Sequence, residues 1–247
     1  MDDLFLLSEA QMRRIERFFP LSHGIPRVDD RRIISGIVFV IKNGLRWRDA
    51  PRGYGPHKTI YNRFVRWRVQ QDLRGAGTQG WQTSTADDRY DPSEGAPHCC
   101  QSVKKGSVPR RIGRTKGGLN SKLHVVCDGQ GRPLIMLLSD GQMSDYKGAA
   151  LMLKALPRAK ELLGDKGYDA DWFRHALAER GMTACIPSKS NRKAPIEHDR
   201  NLYRQRHRIE NMFGRLKDWR RIHTRYDRCA HTFMSAICIA AAVIFWL

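Results

Sequence analysis

At 247 residues, with 44 Lys and Arg against 25 Asp and Glu and a formal charge of +19, the chain can hold one large core plus a small appendage and is built to meet a polyanion. Six cysteines without Cys-x2-Cys spacing argue against a zinc ribbon or a disulfide framework and fit a reducing compartment. The opening Met1-Asp-Asp-Leu lacks a basic n-region, so no secretory leader is expected.

Residues 1–68 read as a helical unit. Ser8 caps a helix over Glu9–Phe19, stopped by Pro20. Asp29 or Asp30 caps a second, Arg31–Lys42, with Ile33, Ile34, Ile37, Val38 and Ile41 on its apolar side and Asn43-Gly44 at its end. A Pro- and Gly-rich loop leads to a third helix, His57–Trp67. Its Ile60, Phe64 and Trp67 face inward, and Lys58, Arg63 and Arg66 face outward. An apolar helix pair followed by a basic third helix is how helix-turn-helix readers dock in the major groove. The bland reading is a three-helix bundle whose arginines are a solvated face.

From residue 119 the pattern alternates. Lys122–Cys127 reads as a strand, Asp128-Gly-Gln-Gly131 as a hairpin turn, and Pro133–Leu138 as the partner strand. Then follow a helix over Asp145–Leu156, a short buried strand over Ala159–Gly164 leading into Asp165, a helix over Asp171–Arg180 closed by Gly181, and a strand over Met182–Ile186 ended by Pro187. A long helix covers Arg200–Trp219. The order is that of a mixed α/β sheet. The uncharged stretch Thr232–Leu247 is shorter than the roughly 18 residues of a membrane span and reads as a buried helix.

On the long helix, Tyr203, Arg206, Glu210 and Lys217 are spaced three, four and seven apart and return to one side of it. One carboxylate then stands among an aromatic hydroxyl and two cations, which suits a surface holding a metal ion and a phosphate together. Taken singly, Asp165 reads as a turn residue and Glu210 as a surface ion-pair partner.

Together these motifs resemble bacterial insertion-sequence transposases with a DDE core, nearest the IS-five family. The carriers are the Tyr203/Arg206/Glu210/Lys217 signature, Gly164-Asp165-Lys-Gly-Tyr168-Asp169, Arg114-Thr-Lys-Gly-Gly-Leu119, Pro187-Ser-Lys-Ser-Asn191-Arg-Lys193 and Trp219-Arg-Arg-Ile-His-Thr-Arg-Tyr-Asp227. The resemblance covers residues 1–68 and 103–247. It implies a ribonuclease-H-like catalytic core after a DNA-binding helical domain. It also implies two divalent ions, Mg²⁺ or Mn²⁺, held by three carboxylates that cut and join DNA at the element's ends. By this resemblance Asp165 is the second carboxylate and Glu210 the third, both metal ligands. Tyr203, Arg206 and Lys217 position phosphate, and Lys58, Arg63 and Arg66 contact terminal-repeat DNA. The expected partners are double-stranded DNA and a second copy of the chain, in the bacterial cytoplasm at the nucleoid.

The chain departs from that pattern over residues 69–102. The resemblance implies a strand reading Met-Ile-Asp, then Thr-His-Leu-Lys-Ala-His-Arg. Val69–Ser102 instead has no period and many turn formers, and reads as a linker. Yet Asp87–Ser102 can be encoded so that dropping one base yields Met-Ile-Asp-Thr-Thr-His-Leu-Lys-Ala-His-Arg-Thr-Ala-Ala-Ser. Only the middle base of each re-read codon is free to choice; the outer two are largely dictated by the protein. The expectation is a pair of compensating frameshifts near residues 69 and 102, with the first catalytic Asp lost. Asp87, Asp88 and Asp91 are nearby acids, none on a strand pattern. His98-Cys99-Cys100 lacks a second ligand pair for a metal. Such a chain should transfer strands poorly or serve as a DNA-binding remnant occupying element ends. A different two-metal nuclease on the same fold is the third reading.

Overall fold

The computed structural model describes residues 4–16, 29–66 and 110–247 and the backbone of 82–85. The expected end of the first helix, Trp67, Asp87, Asp88, Asp91 and the His98-Cys99-Cys100 cluster lie outside the described residues. The described residues fall into two units. One joins residues 4–66 to 214–247, and the other runs from 111 to 213.

The first unit is all helical. Helix α1 (Glu9–Ile15) starts at a reciprocal cap. Ser8 Oγ accepts from the Gln11 amide, and Gln11 Oε1 accepts from the Ser8 amide at 2.8 Å. Helix α2 (Asp30–Asn43) is capped by Asp29, whose carboxylate accepts from the Arg32 amide at 3.1 Å. It stops at Gly44, where φ is +65°, a conformation glycine adopts without strain. Ile33, Ile34, Ile37, Val38, Val40 and Ile41 are buried along it. One-turn helices at Trp47–Asp49 and Arg52–Tyr54 lead to α3 (His57–Arg66), which buries Ile60 and Phe64.

Tyr54 is fully buried, and its hydroxyl donates to the Phe5 carbonyl at 3.0 Å. Its ring sits against Gly36 of α2, so closely that a Cβ there would lie 2.8 Å from Tyr54 Cβ. Gly36→Ala is therefore expected to destabilise the protein by about 1–3 kcal/mol through overpacking. Gly129→Ala, which meets nothing within 4 Å, should be near neutral. Urea denaturation of the two variants checks this.

The same unit contains α8 (Arg220–His223) and α9 (Ala230–Phe245), both packed on α2. Arg221 is the tie. Its guanidinium makes two parallel bonds to Asp227, at 2.7 and 2.9 Å, donates to the Leu45 carbonyl at 2.9 Å, and lies over the Trp47 ring. Helix α9 buries Phe233, Met234, Ala236, Ile237, Ala240 and Ala241, in keeping with a core helix. No helix of the described residues is long and apolar enough to cross a membrane. Residues 214–247 pack with the helical unit, where Arg221 and the apolar α9 find their partners on α2 and Leu45.

The second unit is mixed α/β. Strands β2 (Gly113–Thr115), β3 (Gly118–Cys127) and β4 (Pro133–Asp140) are antiparallel, with Leu123 opposite Leu138 and Val125 opposite Met136. The β3–β4 turn is held by Asp128, which accepts from the Gln130 and Arg132 amides, each at 2.9 Å. Gly131 there has φ +80°. Helix α4 (Asp145–Leu153) follows, capped by Ser144. Strand β5 (Glu161–Leu163), α5 (Asp171–Glu179) and β6 (Thr183–Cys185) come next, with β5 and β6 parallel. Ile135, Leu137, Met152, Phe173, Leu177 and Ile186 make one core against which Val126 and Leu162 also pack.

Three expectations change. The single mixed sheet is two sheets, β1 (Gln82–Thr85)-β4-β3-β2 and β5-β6, because β5 and β6 are only three residues each and pair with one another. The supposed linker contributes a strand, β1 (Gln82–Thr85), beside β4, a position where an open edge takes up a Thr-bearing segment. The long helix over 200–219 is not continuous. It consists of α6 (Arg200–Tyr203), a tight turn at Arg204–Arg206 and α7 (His207–Lys217). At the break the His207 ring Nδ1 donates to the Arg204 carbonyl at 2.7 Å, competing with the α-helical ladder. Beyond Lys217, Trp219 is extended and begins α8.

Candidate active site

Asp165 leaves β5 and caps the one-turn helix Lys166–Tyr168. Its Oδ1 accepts from the Gly167 amide at 2.8 Å. Its Oδ2 faces Arg206 Nη2 at 3.5 Å. The other guanidinium nitrogen of Arg206 donates to Glu210 Oε1 at 2.6 Å. One cation thus joins the two acids, Asp165 from the strand end and Glu210 from the first turn of α7. Both carboxylates remain open to water, their side chains 42% and 63% exposed. Burial works against the charge of Arg206, but the hydrogen bond to Glu210 and the negative neighbours raise its pKa further. Tyr203 is half-buried, with the His198 ring edge-on at 5.3 Å. Burial raises its pKa, Arg206 opposes, and the phenol stays protonated.

The floor of the site is polar and closed. His124, from β3, is buried, with Nε2 3.0 Å from Ser139 Oγ and Nδ1 3.5 Å from the Tyr168 hydroxyl. Burial lowers its pKa against the pull of Asp145, so the ring is held neutral. Burial, then Asp145 and Asp165, push the Tyr168 phenol up. Gly148 of α4 leaves no room over His124, since a Cβ would lie 2.5 Å from the ring.

Sequence reasoning missed Asp145, which it took only as a helix start. A Cβ on Gly167 would lie 2.7 Å from Asp165 Oδ1 and 2.9 Å from Asp145 Oδ2, so the two carboxylates flank the same small gap. Lys122 Nζ sits on Asp145 at 3.1 Å and also donates to the Met143 carbonyl. The spacing of Lys122 and Asp145 carries no periodic signal; only the fold brings them together.

The remaining expected residues are dispersed. Lys217 is exposed on the last turn of α7, past the boundary between Phe213 and Gly214. Lys58 and Arg66 are exposed on α3. Arg63 does not point freely outward as expected. It is ion-paired with Asp30 at 3.1 Å and mostly covered, because the acid in the first turn of α2 lies beside its turn of α3.

A family model described as "Putative transposase of IS4/5 family" matches residues 7–74. One described as "Transposase DDE domain" matches 99–245. The chain is 35% identical over 130 residues to "Putative transposase for insertion sequence element IS6501" of Brucella ovis, covering 52% of this chain and 99% of that one. It is 29% identical over 156 residues to "Putative transposase for insertion sequence element IS402" of Burkholderia cepacia, covering 56% of this chain and 72% of that one. No solved structure gives a significant match. An acid ending a strand, an acid on the later helix α7, and matches over residues 7–74 and 99–245 lead to one family: the chain belongs to the DDE transposases of insertion sequences, in the IS4/5 group.

Proposed function

We propose that this chain binds the terminal repeats of its element as double-stranded DNA, and that its ribonuclease-H-like core keeps a reduced metal site in which Asp165 and Glu210 are the surviving carboxylates. The observation that carries this is the sharing of one guanidinium by those two acids. A pair of oxygen donors with water or phosphate oxygens around it suits one Mg²⁺ or Mn²⁺. Among the described residues no group of three or more Asp, Glu, His or Cys is placed to hold a metal, so the donors fit one ion and fall short of two. A bound ion would supply Lewis-acid polarisation of the scissile phosphate. Asp165 and Glu210 would hold it, and Arg206 would turn from them to a phosphate oxygen. Tyr203 would donate from its protonated hydroxyl, and Lys217 would contact DNA phosphate. Lys58 and Arg66 serve the terminal repeats, and two copies of the chain act on paired ends.

Two observations support the loss of the first catalytic strand. The two family matches leave residues 75–98 uncovered. The two sheets share one core, yet Lys122–Cys127 of β3 has β4 on one side and no strand on the other among the described residues.

A plasmid carrying both element ends tests the reading. Expected are end-specific binding that weakens steeply with salt, and little or no cutting with Mg²⁺. Asp165→Ala should remove any residual nicking and leave binding unchanged. Efficient nicking and joining would refute the impairment, and binding with no preference for the ends would refute the recognition. The fallback is a remnant that only occupies ends, favoured by the salt bridges that already satisfy both acids.

A further inference from the structure

We infer that residues 188–196 form a pre-set basic finger for the DNA phosphate backbone, and that buried Asp169 is the positioning residue that holds it. The inference rests on the DNA-binding reading above. Its starting point is a carboxylate that the metal site does not use.

Asp169 follows the Lys166–Tyr168 turn, and its side chain is only 1% exposed. One oxygen accepts from Arg174 Nε at 2.9 Å and Arg192 Nη2 at 3.0 Å. The other accepts from the Lys189 amide at 2.9 Å and Arg192 Nε at 3.0 Å. A buried carboxylate persists only when paired and fully hydrogen-bonded, and this one is. Arg174 is itself fixed to the Ile186 carbonyl at 2.7 Å, and Arg192 reaches Asp171 at 2.6 Å. The loop therefore folds around the acid.

Two further ties close it. The Ser188 hydroxyl accepts from the Ile196 amide at 2.7 Å and donates to the Ile196 carbonyl at 3.0 Å, which joins the two ends of the loop. Lys189 Nζ lies 3.8 Å over the Tyr146 ring, beside Asp145. Ser190, Asn191 and Lys193 point outward and are exposed, as are the apolar Ala194, Pro195 and Ile196 that close the loop. Exposed Arg200, Arg204 and Arg208 follow in the chain. A hydroxyl, an amide and an ammonium are donors of the kind that phosphate oxygens accept from. Because the loop is already ordered, little entropy is lost when it binds.

Burial alone would raise the pKa of Asp169, but the bonds from Arg192, the Lys189 amide and Arg174 outweigh it and hold it at about 2, below the ordinary 3.8. The groups facing it are Arg174 and Arg192, with Asp171 behind Arg192. A depressed carboxylate contributes its stability above its unfolded pKa and loses it as pH falls through the folded one. Ordering of the loop should therefore persist at pH 4–5.

The test uses the full chain, a duplex carrying an element end, and no metal. Lys193→Ala should weaken binding about tenfold at low salt and reduce the slope of log K against log salt by about one, with melting unchanged. Asp169→Asn should expose Lys189, Arg192 and Lys193 to trypsin at least about tenfold faster and weaken DNA binding in parallel. Unchanged affinity and slope in Lys193→Ala, with a wild-type chain that binds, overturns the finger. Faster proteolysis with unchanged affinity in Asp169→Asn overturns its positioning role. Should Asp169→Asn not fold, Lys193→Ala decides alone. A wild-type chain that binds no duplex at all refutes the underlying DNA reading instead.

Discussion

A chain re-encoded to read Met-Ile-Asp-Thr-Thr-His-Leu-Lys-Ala-His-Arg through the segment that begins at Asp87 is expected to gain Mg²⁺-dependent end cleavage and strand transfer by about 10³-fold or more. The size follows from the chemistry. The proposed site offers two carboxylates, Asp165 and Glu210, whereas in-line phosphoryl transfer between two oxygens uses one ion for the attacking and one for the leaving group. Loss of several kcal/mol of transition-state stabilisation is three decades or more in rate. The added strand should also give the Lys122–Cys127 stretch of β3 a second neighbour and raise the yield of soluble protein. Strand transfer on the two-ended plasmid, repaired chain against the present one, is the measurement. Equal rates would mean that Asp165 and Glu210 already suffice, or that the chemistry lies elsewhere. Glu210→Gln in the repaired chain separates these, since it should return the rate to background only if this site does the work. Sequencing the coding DNA across residues 60–110 is independent of both. If no one-base shift restores the strand, the frameshift account fails.

Arg221→Ala is expected to destabilise the helical unit by about 3–5 kcal/mol. The side chains of Arg221 and Asp227 are 7% and 10% exposed, so the pair is almost wholly removed from water. Truncation strands the Asp227 carboxylate and leaves the Leu45 carbonyl without its donor. Arg221→Lys should lose most of the same energy, because an ammonium cannot fork onto both carboxylate oxygens while reaching Leu45. The double variant Arg221→Met with Asp227→Leu should be much milder than either truncation, since it removes both charges together. Thermal melts of the variants make the comparison. A single truncation worth less than about 1 kcal/mol would show the tie to be ornamental.

Local patterns were legible where one short segment decides the outcome. Ser8, Asp29 and Asn43-Gly44 mark helix ends because capping is a property of four or five neighbouring residues. The Asp128–Gly131 turn, β3, β4 and α5 followed from turn chemistry and alternation for the same reason. Glu210 drew attention through the spacing of its helix and Asp165 through its place at the end of a strand and the family resemblance, and the fold brings both onto Arg206. Long-range partnerships were not legible. Nothing near Arg221 in the chain announces Leu45, nothing near Arg63 announces Asp30, and nothing near Asp145 announces the Gly167 gap. The break at Arg204–Arg206 escaped notice because it is made by a histidine ring rather than by proline or glycine. Asp169 looked like one letter of a motif. Its importance lies in two arginines, one five and one twenty-three residues away.

The Arg221 tie has a consequence for synthesis on the ribosome. Helix α2 is made early, but α8 and α9, which cover it, are made nearly two hundred residues later. A nascent chain that stops before residue 220 thus carries an unfinished apolar surface, open to chaperones and proteases rather than to DNA. Interrupted copies of such a gene would be cleared as protein, and would not accumulate as fragments competing for the element's ends.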